Sequence, residues 1–157
     1  MWFKRTFSRA VILLVCHRYC TTVNPPVVKE TSLLSRRPRV LLADDYPAIL
    51  KAVSRLLAPD CEVVGSLSDG TALLETAQRL EPDVIVLDVN LPNIGSLQAC
   101  RDITRTNPKI KVIMFTAQND LSISEEFLNA GASAFVSKLA SLDLPSTIKR
   151  LCIDEAV

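Results

Sequence analysis

The sequence predicts an α/β fold, a doubly wound five-stranded parallel sheet of the form (βα)5. Three observations carry that expectation. From Arg39 onward, short apolar runs alternate with stretches of helical period. Three of the runs, VLLA (40–43), VIVL (84–87) and VIMF (112–115), are continuously apolar and not alternating, as parallel strands covered on both faces are. The chain has 157 residues, 48% of them hydrophobic and 5% aromatic, enough for one domain with an aliphatic core.

Each element follows in order. VLLA is the first strand, and the helix Pro47–Ala58 after it sets Ile49, Leu50, Val53, Leu56 and Leu57 on one face. EVVG (62–65) is the second strand; the helix Thr71–Leu80 starts after Asp69-Gly70 and stops before Pro82. VIVL precedes a helix at Ser96–Thr106, closed by Asn107-Pro108. VIMF precedes Ser122–Asn129, which ends at Gly131. AFVS (134–137) is the last strand, and Leu144–Cys152 carries Pro145 in its first turn, where a missing N–H costs nothing. Five such units in a row wind right-handed, with helices on both faces of the sheet.

Charge divides the chain in two. Residues 1–37 hold seven Lys/Arg against one acid, Glu30, whereas residues 38–157 hold 11 basic and 16 acidic residues. The acidic body argues against direct nucleic-acid binding. The leader carries AVILLVC (10–16) behind Lys4, Arg5 and Arg9, too short for the roughly 20 residues a membrane span needs. Residues 1–37 are therefore expected to be a disordered leader or a misassigned start, with a weak amphipathic anchor and true export as alternatives. The cysteines, Cys16, Cys20, Cys61, Cys100 and Cys152, are odd in number and lack a CxxC pair. Free thiols in a reducing, cytoplasmic compartment follow. His17 between Cys16 and Cys20 makes a poor zinc site.

Function is sought at the strand ends, because open parallel sheets place their sites beyond the carboxyl ends where the winding reverses. The first strand ends in Asp44-Asp45, the third in Asp88, the fourth in Thr116 and the fifth in Ser137-Lys138. Three adjacent carboxylates repel one another. A hard divalent cation that prefers oxygen ligands and shares phosphate, Mg²⁺, resolves that repulsion. Lys138 and Thr116 then offer a charge and a hydrogen bond to an anion beside the metal. Each residue also has a plainer reading. Asp44 and Asp45 could cap the next helix, Asp88 could be a turn residue, Thr116 an N-cap, and Lys138 a solvated lysine. The conjunction at successive strand ends favours a site.

The motifs VLLADDYP, EVVGSLSDGTALL, PDVIVLDVNLP, VIMFTAQND and AGASAFVSK resemble those of a bacterial response-regulator receiver domain, the phosphoacceptor module of two-component signalling. The likeness spans about residues 38–152 and is greatest to receivers usually fused to a helix-turn-helix output domain. It implies the flavodoxin-like strand order 2-1-3-4-5 and a phosphorylatable signalling domain rather than an enzyme. It implies Asp88 as phosphoacceptor, with Mg²⁺ held by Asp44, Asp45, Asp88 and the backbone carbonyl of Asn90. Thr116 and Lys138 would hold the phosphoryl oxygens, and Thr116 and Phe135 would act as the switch, although a strand phenylalanine is usually just core. Gln118 and Asn90 occupy positions that tune phosphate lifetime in the family. The implied partners are a sensor histidine kinase or phosphotransfer protein and an unknown downstream protein, with phosphorylation-dependent dimerisation as one form of output.

The sequence departs from the family pattern in places. Gly95 stands seven residues after Asp88 and Ser96 takes the eighth place, usually glycine; Leu139 replaces a common proline, and Tyr46 a small polar residue. With the sequence ending at Val157, a stand-alone receiver without an output domain is expected over residues 38–157. Two other readings compete. A receiver-like binding module without phosphorylation would be marked by loss of Asp88, Asp45 or Lys138, and all are present. An aspartate-nucleophile phosphatase would want an acid two residues beyond Asp88, where Asn90 stands; no GxGxxG or GxxxxGK[ST] stretch points to a nucleotide.

Overall fold

The computed structural model describes residues 36–117 and 121–153. Residues 1–35 of the leader, with Cys16, His17 and Cys20, and also Gln118, lie outside the described residues, whereas Arg36 and Arg37 at the end of the leader are described. Five strands, β1 (Arg39–Ala43), β2 (Glu62–Leu67), β3 (Val84–Asp88), β4 (Lys111–Thr116) and β5 (Ala134–Ser137), alternate with five helices. These are α1 (Pro47–Leu57), α2 (Leu73–Leu80), α3 (Ser96–Thr106), α4 (Leu121–Asn129) and α5 (Leu144–Ile153). All neighbouring strands are parallel, in the order β2-β1-β3-β4-β5. This is the expected flavodoxin-like arrangement.

The three continuously apolar runs form the central strands, and the two mixed runs form the edges. The reason is exposure: β3 is buried at every residue, while edge strand β2 exposes Glu62 and Ser66. The central strands feed two aliphatic layers. Leu41, Ile85, Leu87, Val112 and Met114 pack against α2, α3 and α4 through Leu73, Ala77, Cys100, Ile103 and Phe127. Val40, Leu42, Val86, Ile113 and Phe115 pack on the other face against Val53, Leu57, Leu144 and Ile148 of α1 and α5. Each fully buried aliphatic side chain of this kind contributes about 1.5–3 kcal/mol relative to exposure.

At the amino-terminal edge of the sheet, Asp83 joins three segments. Its carboxylate takes two hydrogen bonds from the Arg36 guanidinium, at 2.8 and 2.6 Å, and one from Arg39 N at 2.7 Å. Its carbonyl accepts from Lys111 N at 2.9 Å. The opposite edge is thereby left to the loops that build the site.

Three local features differ from the sequence expectation. Helix α2 begins at Leu73, not Thr71, because Asp69 Oδ1 accepts from Thr71 N at 2.8 Å and holds Thr71 in a turn. A 3-10 helix, Lys138–Asp143, with non-helical Ala140 inside it, precedes α5. It starts directly after β5 because the Ser137 hydroxyl accepts from Leu139 N at 3.3 Å. Strand β2 runs two residues past EVVG to Leu67, and β4 gains Lys111 and Thr116 at its two ends, since main-chain pairing does not require an apolar side chain. Gly131 has φ +98° just after α4, the left-handed backbone that glycine adopts without strain. Among the described residues no peptide bond is cis, no helix is long and apolar enough to cross a membrane, and Cys61, Cys100 and Cys152 form no disulfide.

Candidate functional site

Side-chain parity decides what meets at the carboxyl edge of the sheet. In β1 and β3, Leu42 and Val86 face the α1/α5 layer, so Asp44 and Asp88, two residues further on, point the same way. Phe115 at the end of β4 belongs to that layer as well, and Lys138 follows Val136 of the same layer by two residues. Two strands, β3 and β4, and the residues directly after two others, β1 and β5, thus deliver two carboxylates, a ring and an ammonium to one side of the β1/β3 switch point. Thr116, one residue past Phe115, has by strand alternation the parity of Met114 in the α2/α3/α4 layer.

The contacts are short. Lys138 Nζ lies 2.6 Å from Asp44 Oδ2 and 3.1 Å from Asp88 Oδ1, and 5.8 Å from the centre of the Phe115 ring. Asp44 and Asp88 are 3% and 4% exposed, so this pairing takes place largely out of water. Asp45 is exposed, yet it offers a carboxylate oxygen within 4.8 Å of oxygens from Asp44 and Asp88. Asp44 uses its two oxygens differently. Oδ1 accepts from Tyr46 N at 3.0 Å, a turn contact in place of the helix cap that the plain reading gave it, since α1 has no side-chain capping bond, while Oδ2 is buried with no aligned hydrogen-bond donor. The Lys138 ammonium, 2.6 Å away, compensates that oxygen.

The electrostatics follow from burial. Burial pushes the Asp88 carboxyl above its ordinary value; contact with Lys138 pulls it back, and the charges of Asp44 and Asp45 add to the rise. For Lys138, burial alone would lower the ammonium, but contacts with Asp44 and Asp88 outweigh it and leave the group raised. One cation among three acids leaves the cluster short of positive charge. Three carboxylates that share a single ammonium are a donor set that suits a hard divalent cation.

The remaining sequence candidates fall on the same rim. Thr116 is 1% exposed and lies beside Ser137 in the β4–β5 register. Phe135 pairs with Met114 and packs half-buried against the α2/α3/α4 layer, whose parity Thr116 shares. Asn90 is exposed in the turn after β3. Sequence reasoning missed two contacts: the Phe115 ring beside Lys138, and the Ser96 hydroxyl, which donates to the Asp88 carbonyl at 2.9 Å. Strand parity was the available signal for Phe115. Ser96 was visible only as a departure in a loop, with nothing to say where its hydroxyl would point.

Comparison with known proteins agrees with this architecture. The sequence profile of the response regulator receiver domain matches residues 40–148. Response regulator GacA of Pseudomonas viridiflava is 37% identical over 106 residues, 66% of this chain and 50% of that protein. The transcriptional regulatory protein DegU of Brevibacillus brevis is 32% identical over 107 residues, 67% of this chain and 45% of that protein. The chain spans about half the length of these curated relatives. Among solved structures, the response regulator domain of Thermotoga maritima CheB matches with TM-score 0.69 and 29% identity, covering 74% of this chain and 97% of that one. The isolated REC domain of RcsB from Salmonella enterica, solved with the phosphomimetic BeF3⁻, matches with TM-score 0.66 and 25% identity, covering 74% and 99%. With the strand order and the rim already described, the chain belongs to the response regulator receiver domain family of two-component signalling proteins.

Proposed function

We propose that Asp88 accepts a phosphoryl group from the phosphohistidine of a sensor histidine kinase or phosphotransfer protein, and that the modified domain signals through altered protein contacts. One observation carries the proposal: the Lys138 ammonium bridges Asp44 and Asp88 inside a cluster of three carboxylates. Phosphoryl transfer demands alignment and charge neutralisation more than covalent help from the protein. An Asp88 carboxylate oxygen forms the new P–O bond while the P–N bond of the donor histidine breaks and its imidazole departs. Asp44, Asp45, Asp88 and the Asn90 carbonyl would hold Mg²⁺, which supplies positive charge to the phosphoryl oxygens. Lys138 neutralises the transferred group from the α1/α5 side, and the Thr116 hydroxyl donates to it from the opposite side.

An apolar groove supports a protein as phosphodonor. It encloses about 240 Å³ beside Lys138 and is lined by Ile49, Ala52 and Leu56 of α1 together with Phe115 and Leu142. Leu142 and its neighbour Leu139 are 79% and 84% exposed, more apolar surface than a lone signalling loop needs. Phosphorylation adds close to two negative charges at the rim. Thr116 and Phe135, on one face of adjacent strands, are the pair that would carry that change to the surface of α4, β5 and α5.

The test is intact-mass measurement after exposure to acetyl phosphate. Wild type with Mg²⁺ is expected to gain one phosphoryl group, and Asp88→Asn none. Chelation with EDTA is expected to abolish the gain in wild type. No gain with any donor would favour a binding module that works without phosphorylation.

A further inference from the structure

We propose that the Ser96 hydroxyl is a positioning group for the phosphoacceptor turn, an inference that rests on the phosphoacceptor reading above. Ser96 Oγ donates to the Asp88 main-chain carbonyl at 2.9 Å, a buried contact between residues eight apart. Ser96 itself is 4% exposed. As the first residue of α3 it stands next to an N-cap, Gly95, that makes no side-chain capping bond. Its hydroxyl nevertheless leaves the helix end and reaches back across the loop 89–95. The serine therefore ties the base of that loop to its point of departure from β3.

The consequence follows from peptide geometry. A peptide unit is planar and trans, so holding the Asp88 carbonyl also fixes the Val89 N–H on its other edge and the heading of the chain toward Asn90. Beyond Asn90, Leu91 is 3% exposed in the core, and Pro92 O accepts from Gly70 N at 3.0 Å. Val89 and Asn90 are thus suspended between two anchors, Ser96 on one side and Leu91-Pro92 on the other. They form the stretch that must present the Asn90 carbonyl beside Asp88. Misplacement of such a group by a fraction of a bond length lowers both cation affinity and transfer rate.

Glycine, the residue usual at this place in the family, has no hydroxyl to make the tie. In this chain the serine supplies it, and the position is directly testable with the 157-residue chain. Wild type, Ser96→Ala and Ser96→Thr are compared for Mg²⁺ affinity of the unphosphorylated protein by calorimetry, for phosphoryl uptake from acetyl phosphate by intact mass, and for Tm. Ser96→Ala is expected to bind Mg²⁺ about 3–10-fold more weakly and to slow uptake by a similar factor, the worth of one buried hydrogen bond. Ser96→Thr, which keeps the hydroxyl, is expected to stay within about twofold of wild type on both measures.

An unchanged Mg²⁺ affinity in Ser96→Ala, whatever its Tm, overturns the inference, as does a wild type that binds no Mg²⁺. Equal impairment of the Ala and Thr variants overturns it too, because packing and not the hydrogen bond would then be responsible. Should Ser96→Ala fail to fold, Ser96→Cys, of similar size but with a weak donor, takes its place with the same expected loss. If wild type binds Mg²⁺ but gains no phosphoryl group, the phosphoacceptor reading falls, while the affinity comparison still decides the role of Ser96.

Discussion

The Lys138 ammonium stands 2.6 Å from Asp44 Oδ2 and 3.1 Å from Asp88 Oδ1, with 14% of its side chain exposed. Deleting the charge while leaving both acids buried is costly, since the partners keep their desolvation penalty and lose their compensation. Lys138→Met is expected to lose about 2–4 kcal/mol of stability in urea denaturation, and added Mg²⁺ is expected to restore part of that loss. The pH dependence has a definite sign. Contacts with the two acids raise Lys138 above its ordinary 10.5, so its stabilisation is complete below that value and is lost as pH rises through the higher folded value. Burial raises Asp88 above 3.8, so its ionisation weighs on the folded state at neutral pH and that weight lifts on acidification. The stability gap between wild type and Lys138→Met is therefore expected to be widest near neutral pH and to close toward both extremes. The residue types at this site were legible from strand-end position. Which oxygen of Asp44 would face the lysine was not, because one local hydrogen bond to Tyr46 N decides it.

At the scale of elements, two turns brace each other beneath the site. Gly70, between β2 and α2, donates its N–H to Pro92 O at 3.0 Å. A Cβ on Gly70 would lie 1.9 Å from Ile94 Cγ2, 2.4 Å from Ile94 Cβ and 3.2 Å from Pro92 O. No side-chain rotation of Ile94 clears its own Cβ, so the loop 89–95 must move. Gly70→Ala is expected to cost about 1–3 kcal/mol, the usual range for overpacking, and to shift the amide resonances of Val89 and Asn90. Unchanged resonances with unchanged stability would show that the two turns are independent. The sequence reading took Asp69-Gly70 as a helix start, which holds only in part. The aspartate does shape the turn, but the glycine serves a neighbour more than 20 residues away, and local patterns carry no record of such approach.

For the whole molecule, the site is a product of winding. Reversal between β1 and β3 opens a crevice at the carboxyl edge, and three acids from the ends of these two strands meet there. A cation that binds only the folded arrangement must stabilise it, by about 1.4 kcal/mol at a concentration tenfold above its Kd. Mg²⁺ is accordingly expected to raise Tm of wild type by a few degrees, EDTA to reverse the rise, and Asp45→Asn to abolish most of it. A wild-type Tm indifferent to Mg²⁺ would argue against a cation at the rim. The sequence by itself determined the class and order of elements, because continuous apolar runs can be buried only as central parallel strands and helical periods only as their covers. It also named the residues at each strand end. Tertiary structure alone decided that Lys138 bridges Asp44 and Asp88 and that Ser96 reaches back to the Asp88 carbonyl. Those outcomes depend on strand register and loop path, which are settled by contacts between residues far apart in the chain and leave no periodic trace along it.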